Sequence, residues 1–525
     1  VRAWRLLIPV AVLLVLLILA VTVLRQGGTA KTGTEVAQPF GSQPGGRKPL
    51  IFDLGALSQN AALRPKALDE VRSLGADAVR VVLPWAAVAP PKLPRGFRPS
   101  DPAERHYDFS TYDALLRQID SRGMKILLDP SSPIPRWASS SGSDVDNPRP
   151  AQFASFVRAL ARRYGGGFDP GGPGRGAKPL PKVALWSVWN EPNLAIFLGP
   201  QMRDGKPYAP GLYRRLYQAA AESIHAEDAA APVLIGETAP TAGDAGIDPI
   251  PFSRSVLCLR SDYTAIRGCG PIDAFGWSTH PYPVSTNPPF EPGGHPDFVT
   301  MDLLSGLEGV LAAADTAGTT KTDLPVYITE FGIQSVPDPL VGVSQAHQAD
   351  YLAIAERIAY ADPAVASFAQ YLLRDDAPTD VSGQSFGGFE SGLRTFGGTA
   401  KPALGALRTP LVVQRIGERA ELWALVQPAR GATSVILRYR DPGEVPRSLG
   451  RFRTDAAGVI TRPVSFSPGR RWQVEWTDPA THDVHRGPFT PAYAFGLPVG
   501  RSGVVRQGAG SAAPGAAAAP PPAAP

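Results

Sequence analysis

Between residues 49 and 409 one pattern recurs eight times: a short apolar run, then a longer stretch whose apolar residues repeat at helical spacing. The runs are Leu50–Leu54, Ala78–Leu83, Lys125–Asp129, Val183–Trp189, Val233–Gly236, Ala274–Ser278, Val326–Thr329 and Val365–Leu372. Runs of this length read as buried strands. Between them Leu68, Val71 and Leu74 share one helix face, closed by Gly75. Leu115, Leu116 and Ile119 share another, where Ser110 and Asp113 fit a capping box and Gly123 a C-cap. Phe153, Phe156, Val157 and Leu160 mark a third, and Leu303, Leu304, Leu307 and Leu311 a later one. Eight strand-then-helix units predict an α/β fold, a (β/α)8 TIM barrel with insertions; a doubly wound open sheet is the alternative. A hydrophobic fraction of 43% supplies the core and excludes a disordered or fibrous chain.

The flanks read differently. Leu6–Leu24 is 19 residues without a charge, bordered by Arg2, Arg5 and Arg25. A bilayer core takes about 20 apolar residues as helix, whereas a secretory h-region takes about 7–15. Residues 1–24 are therefore expected to be a signal anchor, a transmembrane helix; a cleaved signal peptide ending near Gly28-Thr29-Ala30 is the alternative. Residues 25–48 are polar and Gly-rich, as in a flexible linker. From 410 to 497 short alternating runs such as Glu421–Val426, Ser434–Tyr439 and Arg471–Trp476 are separated by turns, the pattern of a small all-β sandwich. Residues 498–525 are an Ala/Pro-rich tail, expected to be disordered.

Several classes of chemistry drop out. The net charge is +5, 52 basic against 47 acidic residues, and no Lys/Arg block forms a stripe for nucleic acid. No GxGxxG follows a strand and no P-loop occurs, which argues against nucleotide chemistry. Two cysteines exclude a zinc cluster. Cys258 and Cys269 stand close enough in the chain to pair if the body lies outside the cytoplasm; otherwise they are buried thiols.

In a barrel, chemistry sits in the loops that follow the strands. The Gly-rich stretch 165–178 precedes a strand and belongs to the opposite face. The fourth run ends in Trp189-Asn190-Glu191-Pro192-Asn193, and the seventh in Thr329-Glu330-Phe331-Gly332. Two carboxyls at the C-terminal ends of non-adjacent strands can face each other across the mouth. Glycoside hydrolysis needs such a pair: an acid for the leaving oxygen and a carboxylate at the anomeric carbon. Asn-Glu-Pro alone is a weak signal. Its position at a strand end, with a second Glu at the end of the seventh run, makes it a strong one.

Here the sequence resembles the retaining glycoside hydrolases of clan A, with the cellulase-like family 5 and the xylosidase-like family 39 nearest. The resemblance spans residues 49–409. It implies Glu191 as acid/base, Glu330 as nucleophile and Asn190 as a hydrogen-bond partner of the sugar 2-hydroxyl. It also implies Arg80 as the residue that keeps the nucleophile ionised, and His280-Pro281-Tyr282 as the element that sets Tyr282 against the nucleophile. Physical chemistry asks the same of such groups: a depressed pKa for the nucleophile and a raised one for the acid. Two stretches depart from the family pattern. Leu128-Asp129-Pro130-Ser131 stands where many members carry a His, and Gln370-Tyr371-Leu372-Leu373 where many carry a Trp under the sugar.

Each residue has a plainer reading. Arg80 could be a barrel-core ion pair and His280 a satisfied core histidine. Glu237 ends the fifth run and reads as a structural or substrate-facing acceptor. Trp85, Trp137 and Phe197 follow strands and could stack on sugars or pack the core, and Tyr371 is the candidate for the floor under the sugar. Trp472, Val474 and Trp476 alternate on one strand face, a sandwich core more than a carbohydrate platform. The expected activity is retaining hydrolysis of a β-linked oligo- or polysaccharide, without a cofactor, by a membrane-anchored or secreted enzyme with its catalytic domain outside the cytoplasm. A transglycosylase and a non-catalytic glycan-binding surface protein are the alternatives.

Overall fold

The computed structural model describes residues 39–40, 43–172, 178–291, 294–377, 388–429 and 431–497. The strands of the first body are β1 (Leu50–Asp53), β2 (Ala78–Pro84), β3 (Lys125–Ser131), β4 (Leu185–Ser187), β5 (Val233–Thr238), β6 (Gly276–Thr279), β7 (Val326–Ile328) and β8 (Val365–Tyr371). One principal helix follows each: α1 (Arg64–Ser73), α2 (Ser110–Asp120), α3 (Pro150–Arg163), α4 (Ala209–His225), α5 (Pro249–Val256), α6 (Leu304–Thr316), α7 (Gln345–Ala361) and α8 (Pro402–Arg408). All eight strands are parallel and pair in sequence order, with β8 closing on β1. This is the (β/α)8 barrel, and the open sheet is excluded. The strands are apolar almost throughout because both faces are covered: Ile51, Phe52, Val79, Leu127, Leu128, Ile328 and Phe368 are buried.

Helix ends follow local chemistry, with one departure. Gly75 closes the first helix at φ +95°, and a Cβ there would fall 2.8 Å from the carbonyl oxygen of Gln427. The capping box expected at Ser110 and Asp113 does not form. Ser110 is already helical, and Asp108 accepts from its N–H and hydroxyl. Asp113 instead accepts from both Nε and Nη2 of Arg163 on α3, at 2.9 and 2.5 Å. A bidentate guanidinium is a stronger partner than one backbone N–H.

Residues 43–48 were expected to be linker but belong to the folded body. Arg47 is buried, bonding the carbonyls of Gln427 and Gly75 and the carboxylate of Asp77. The apolar run Leu6–Leu24, most of the 25–48 stretch and the 498–525 tail lie outside the described residues. Among the described residues no helix is long and apolar enough to cross a membrane. Cys258 and Cys269 are joined in a disulfide, Cα–Cα 6.2 Å.

The second body is β9 (Leu411–Ile416), β10 (Arg419–Leu425), β11 (Ser434–Arg440), β12 (Arg447–Arg453), β13 (Val459–Ser465), β14 (Arg471–Thr477), β15 (Val484–Arg486) and β16 (Thr490–Tyr493). The order is β12-β11-β14-β16-β9-β10-β13, with β15 pairing the far end of the β14 edge that β16 also meets. Leu422, Ala424, Leu437, Trp472, Val474 and Trp476 pack into one core, so Trp472 and Trp476 are core residues.

Candidate active site

The C-terminal ends of the strands converge on an open cavity of about 740 Å³, lined by Asp53, Asn190, Glu191, Tyr282, Glu330 and Tyr371 among others. Backbone conformation aims the carboxylates inward. Beyond β4 the chain leaves the extended region, with Trp189 at φ +71° and Glu191 at φ +41°. Such angles are strained for side-chain-bearing residues. They are held by hydrogen bonds: Trp189 N–H to Pro130 O, Asn190 N–H to Ser131 Oγ and Glu191 N–H to Glu237 O. After β7, Gly332 lets Glu330 sit beside β8; a Cβ there would come 2.3 Å from Tyr371 O.

Arg80 is the centre of the floor. Its Nη1 donates to Glu330 Oε2 at 2.7 Å and Asp53 Oδ2 at 3.0 Å. Its Nη2 faces Asn190 Oδ1 at 2.7 Å, Glu237 Oε2 at 2.8 Å and Asp129 Oδ2 at 3.0 Å. Tyr282 donates to the other Glu330 oxygen at 2.8 Å. His280 bridges Glu191 Oε1 at 3.0 Å through Nδ1 and Glu237 Oε2 at 2.8 Å through Nε2. The same Nδ1 lies 3.9 Å from Glu330 Oε2. One nitrogen thus neighbours both strand-end carboxyls, and Glu191 Oε1 and Glu330 Oε2 can be no farther apart than its two legs laid end to end.

Five carboxyls surround two cations. Burial alone would push His280 down, but Glu330, Glu191 and Glu237 outweigh it and lift its pKa to about 10. Burial would raise Glu237; Arg80 and His280 hold it at about 2. For Glu330 burial wins over His280 and Arg80, and the pKa rises. That reverses the depression expected for a nucleophile: the Arg and phenol donors are present, but the site is too dry and too acidic for them to prevail. Burial also pushes Asp129 well above the carboxylate range, with only partial relief from Arg80.

The sequence-derived residues divide clearly. Arg80, Asn190, Glu191, His280, Tyr282 and Glu330 come together, and Tyr371 lines the cavity with Phe197 and Phe389. Tyr371 sets its edge against Tyr282 and Phe389, centroids 6.3 and 5.1 Å away. Neither Trp85 nor Trp137 lines this cavity. Trp85 is fully buried and stacked on Phe156, centroids 5.1 Å apart. Trp137 packs edge-on against Trp85 and Phe97 and donates to Pro90 O. Phe153 and Phe156 on α3 draw Trp85 into the core, and Trp137 lies half-buried against it. Asp53 and Asp129 were missed, although each is an acid closing an apolar strand, in Leu50-Ile51-Phe52-Asp53 and Ile126-Leu127-Leu128-Asp129.

No protein-family model matches the chain, and no curated protein matches it. Among solved structures it is similar to a glucosidase from Croceicoccus marinus, at 16% identity and TM-score 0.45, covering 78% of this chain and 90% of that one. It is similar to the GH39 enzyme of Xanthomonas axonopodis pv. citri, at 16% identity and TM-score 0.47, covering 85% and 95%. A monomeric β-xylosidase from Caulobacter crescentus CB15 gives 15% identity and TM-score 0.46, covering 85% and 97%. At these values nothing about the chemistry follows from the likeness; it has to follow from the side chains.

Proposed function

We propose that the chain is a retaining glycoside hydrolase acting on β-linked oligo- or polysaccharide. The observation that carries this reading is the pair of strand-end carboxyls, Glu191 and Glu330. Their oxygens lie 3.0 and 3.9 Å from the same His280 nitrogen, and Glu330 is held by both Arg80 and Tyr282. Retention takes carboxyls about 5–5.5 Å apart, whereas inversion leaves about 6.5–9.5 Å for a water. Only a nearly straight line through the shared nitrogen would reach the lower edge of the inverting range. The shared nitrogen thus caps this oxygen pair near the lower edge of the inverting range, which supports the retaining reading.

A Glu330 oxygen attacks the anomeric carbon as Glu191 delivers its proton to the departing oxygen. Water then attacks the glycosyl-enzyme, Glu191 takes its proton, and Glu330 departs as carboxylate. Arg80 and Tyr282 offset the charge that returns to Glu330. Asn190 has its carbonyl committed to Arg80, so its NH2 is left to meet a sugar hydroxyl.

Glu330→Ala should abolish turnover of every substrate. Glu191→Ala should slow poor leaving groups far more than activated aryl glycosides, with azide restoring rate and giving the retained glycosyl azide. Azide yielding the retained product from the Glu330 variant instead would reverse the roles. Unchanged activity in both variants would place the chemistry elsewhere.

We further place the catalytic body outside the cytoplasm, anchored by residues 1–24 or, alternatively, secreted. The uncharged run Leu6–Leu24 and the disulfide support this. A reporter fused after Pro525 that works only in the cytoplasm would overturn it.

A further inference from the structure

The second body is basic in a patterned way. Residues 411–497 hold twelve arginines, no lysine and eight acidic residues. The registers sort them by face. Antiparallel pairing sets Ser434 opposite Arg453, Ile436 opposite Arg451 and Glu475, and Arg440 opposite Arg471. Val435, Leu437, Val474 and Trp476 alternate with these and point into the core. Directly paired residues share a face. Arg438, Arg440, Arg451, Arg453 and Arg471 therefore stand outward, with Arg486 beside them opposite Glu475.

Among the described residues of these strands, Glu475 is the one carboxylate on that face, and it is already bound by Arg438 and Arg486. Arg440, Arg451, Arg453 and Arg471 are exposed. Arg440 and Arg471 are directly cross-strand and both rest on Phe489: Arg440 lies over its ring, 4.5 Å from the centroid, and Arg471 donates to its carbonyl at 3.2 Å, so two like charges are held side by side.

Successive outward positions on a strand are roughly 6.5–7 Å apart and neighbouring strands about 4.8 Å. The face is a grid of guanidinium forks, each suited to a carboxylate or phosphate. A single small anion would engage one or two of them; an extended polymer would engage a row.

We propose that this arginine face binds a polyanionic polysaccharide, holding the enzyme on an acidic glycan while the cavity works. The choice of a glycan over another polyanion rests on the glycosidase reading, whereas the charge match does not. The second body is bonded to the barrel, through Tyr493 to Asp350 at 2.9 Å and Trp476 to Thr409 at 2.8 Å, so binding there would position the cavity.

The test uses the full chain in neutral detergent, as wild type and as the triple variant Arg440→Gln, Arg451→Gln, Arg453→Gln. Polygalacturonate, neutral dextran, and phosphatidylglycerol and phosphatidylcholine vesicles are titrated at about 50 mM salt, where surface charge is weakly screened. Wild type should bind polygalacturonate and not dextran, and the variant should bind at least about tenfold more weakly. Equal binding by both proteins, or no binding of polygalacturonate, overturns the proposal. So does a wild-type preference over the variant seen only on phosphatidylglycerol vesicles. Turnover of an aryl glycoside should be the same in both proteins, which also shows that the variant folds. Absence of turnover in both would count against the hydrolase reading and leave the binding result standing.

Discussion

Arg80 Nη2 carries two hydrogens but faces three oxygens, and Asp129 is the most distant of the three at 3.0 Å. Asp129 is fully buried, and its Oδ1 accepts no hydrogen bond among the described residues. Around it stand Glu237 and Glu330, with Arg80 and His280 as the cations. A carboxyl so placed is the one that keeps its proton, which relieves the crowding and leaves the guanidinium to Glu330 and Glu237. Asp129→Asn, a mimic of the protonated acid, should therefore keep kcat within about threefold with an unchanged pH profile. Glu237→Gln removes one of the three charges, beside Glu330 and Glu191, that keep His280 protonated up to about 10. It should cost at least about tenfold in kcat and move the alkaline limb to lower pH. Rate profiles of the two variants decide; equal losses would mean that Asp129 is ionised. Asp129 had a signal in sequence, the lone acid in an apolar strand. Its protonation did not, because that depends on four side chains brought from other strands.

At the level of elements, period made the barrel legible and local geometry blurred its edges. The fourth run was read as Val183–Trp189, but the strand is Leu185–Ser187, because the turn that aims Glu191 begins by Trp189. Strand ends carried the catalytic pair, since an acid after an apolar run is visible without tertiary information. The clamp behind the cavity wall was not visible, because it joins residues with no periodic relation. Buried Lys401 donates to Asp375 Oδ1 at 2.7 Å, Ser335 Oγ at 2.9 Å and Glu390 O at 3.0 Å. These contacts tie the stretch after β7 to the segment that carries Phe389 to Tyr371. Lys401→Met would leave Asp375 buried without its cation, a loss of about 3–5 kcal/mol at the clamp. The expected result is a lower Tm and a raised KM with kcat less affected. Lys401→Met with Asp375→Asn should recover part of the Tm. If the single variant matches wild type in both Tm and KM, the clamp holds nothing in place.

The whole molecule depends on the joint between its two bodies, and one acid there makes the joint sensitive to pH. Glu356 on α7 is buried and accepts from Gln427 Nε2 just beyond β10, while its other oxygen accepts no hydrogen bond among the described residues. Burial pushes its pKa from 4.5 to about 8, against the pull of Arg47 and of the Gln427 bond. The folded chain therefore keeps this proton up to about 8, while the unfolded chain releases it near 4.5. The contribution to stability is complete below about 4.5 and shrinks as pH rises through the window, by at most about 1.4 kcal/mol per pH unit. Above about 8 the loss is complete, with a ceiling of about 5 kcal/mol. Glu356→Gln keeps a polar head of the same size and has no proton to lose. Its Tm should exceed that of wild type at pH 8, with the difference narrowing toward zero near pH 4.5. Other groups that titrate over this range, Asp350 among them at about 6, are common to both proteins and cancel in the difference. A gap independent of pH would mean that Glu356 is already ionised at the joint. In that case Arg47, which reaches Gln427 and Asp77 from the other side, is its counter-ion and the bodies are held by charge. A gap that closes at low pH means that the joint is held by packing and a neutral hydrogen bond, and that alkali loosens it first.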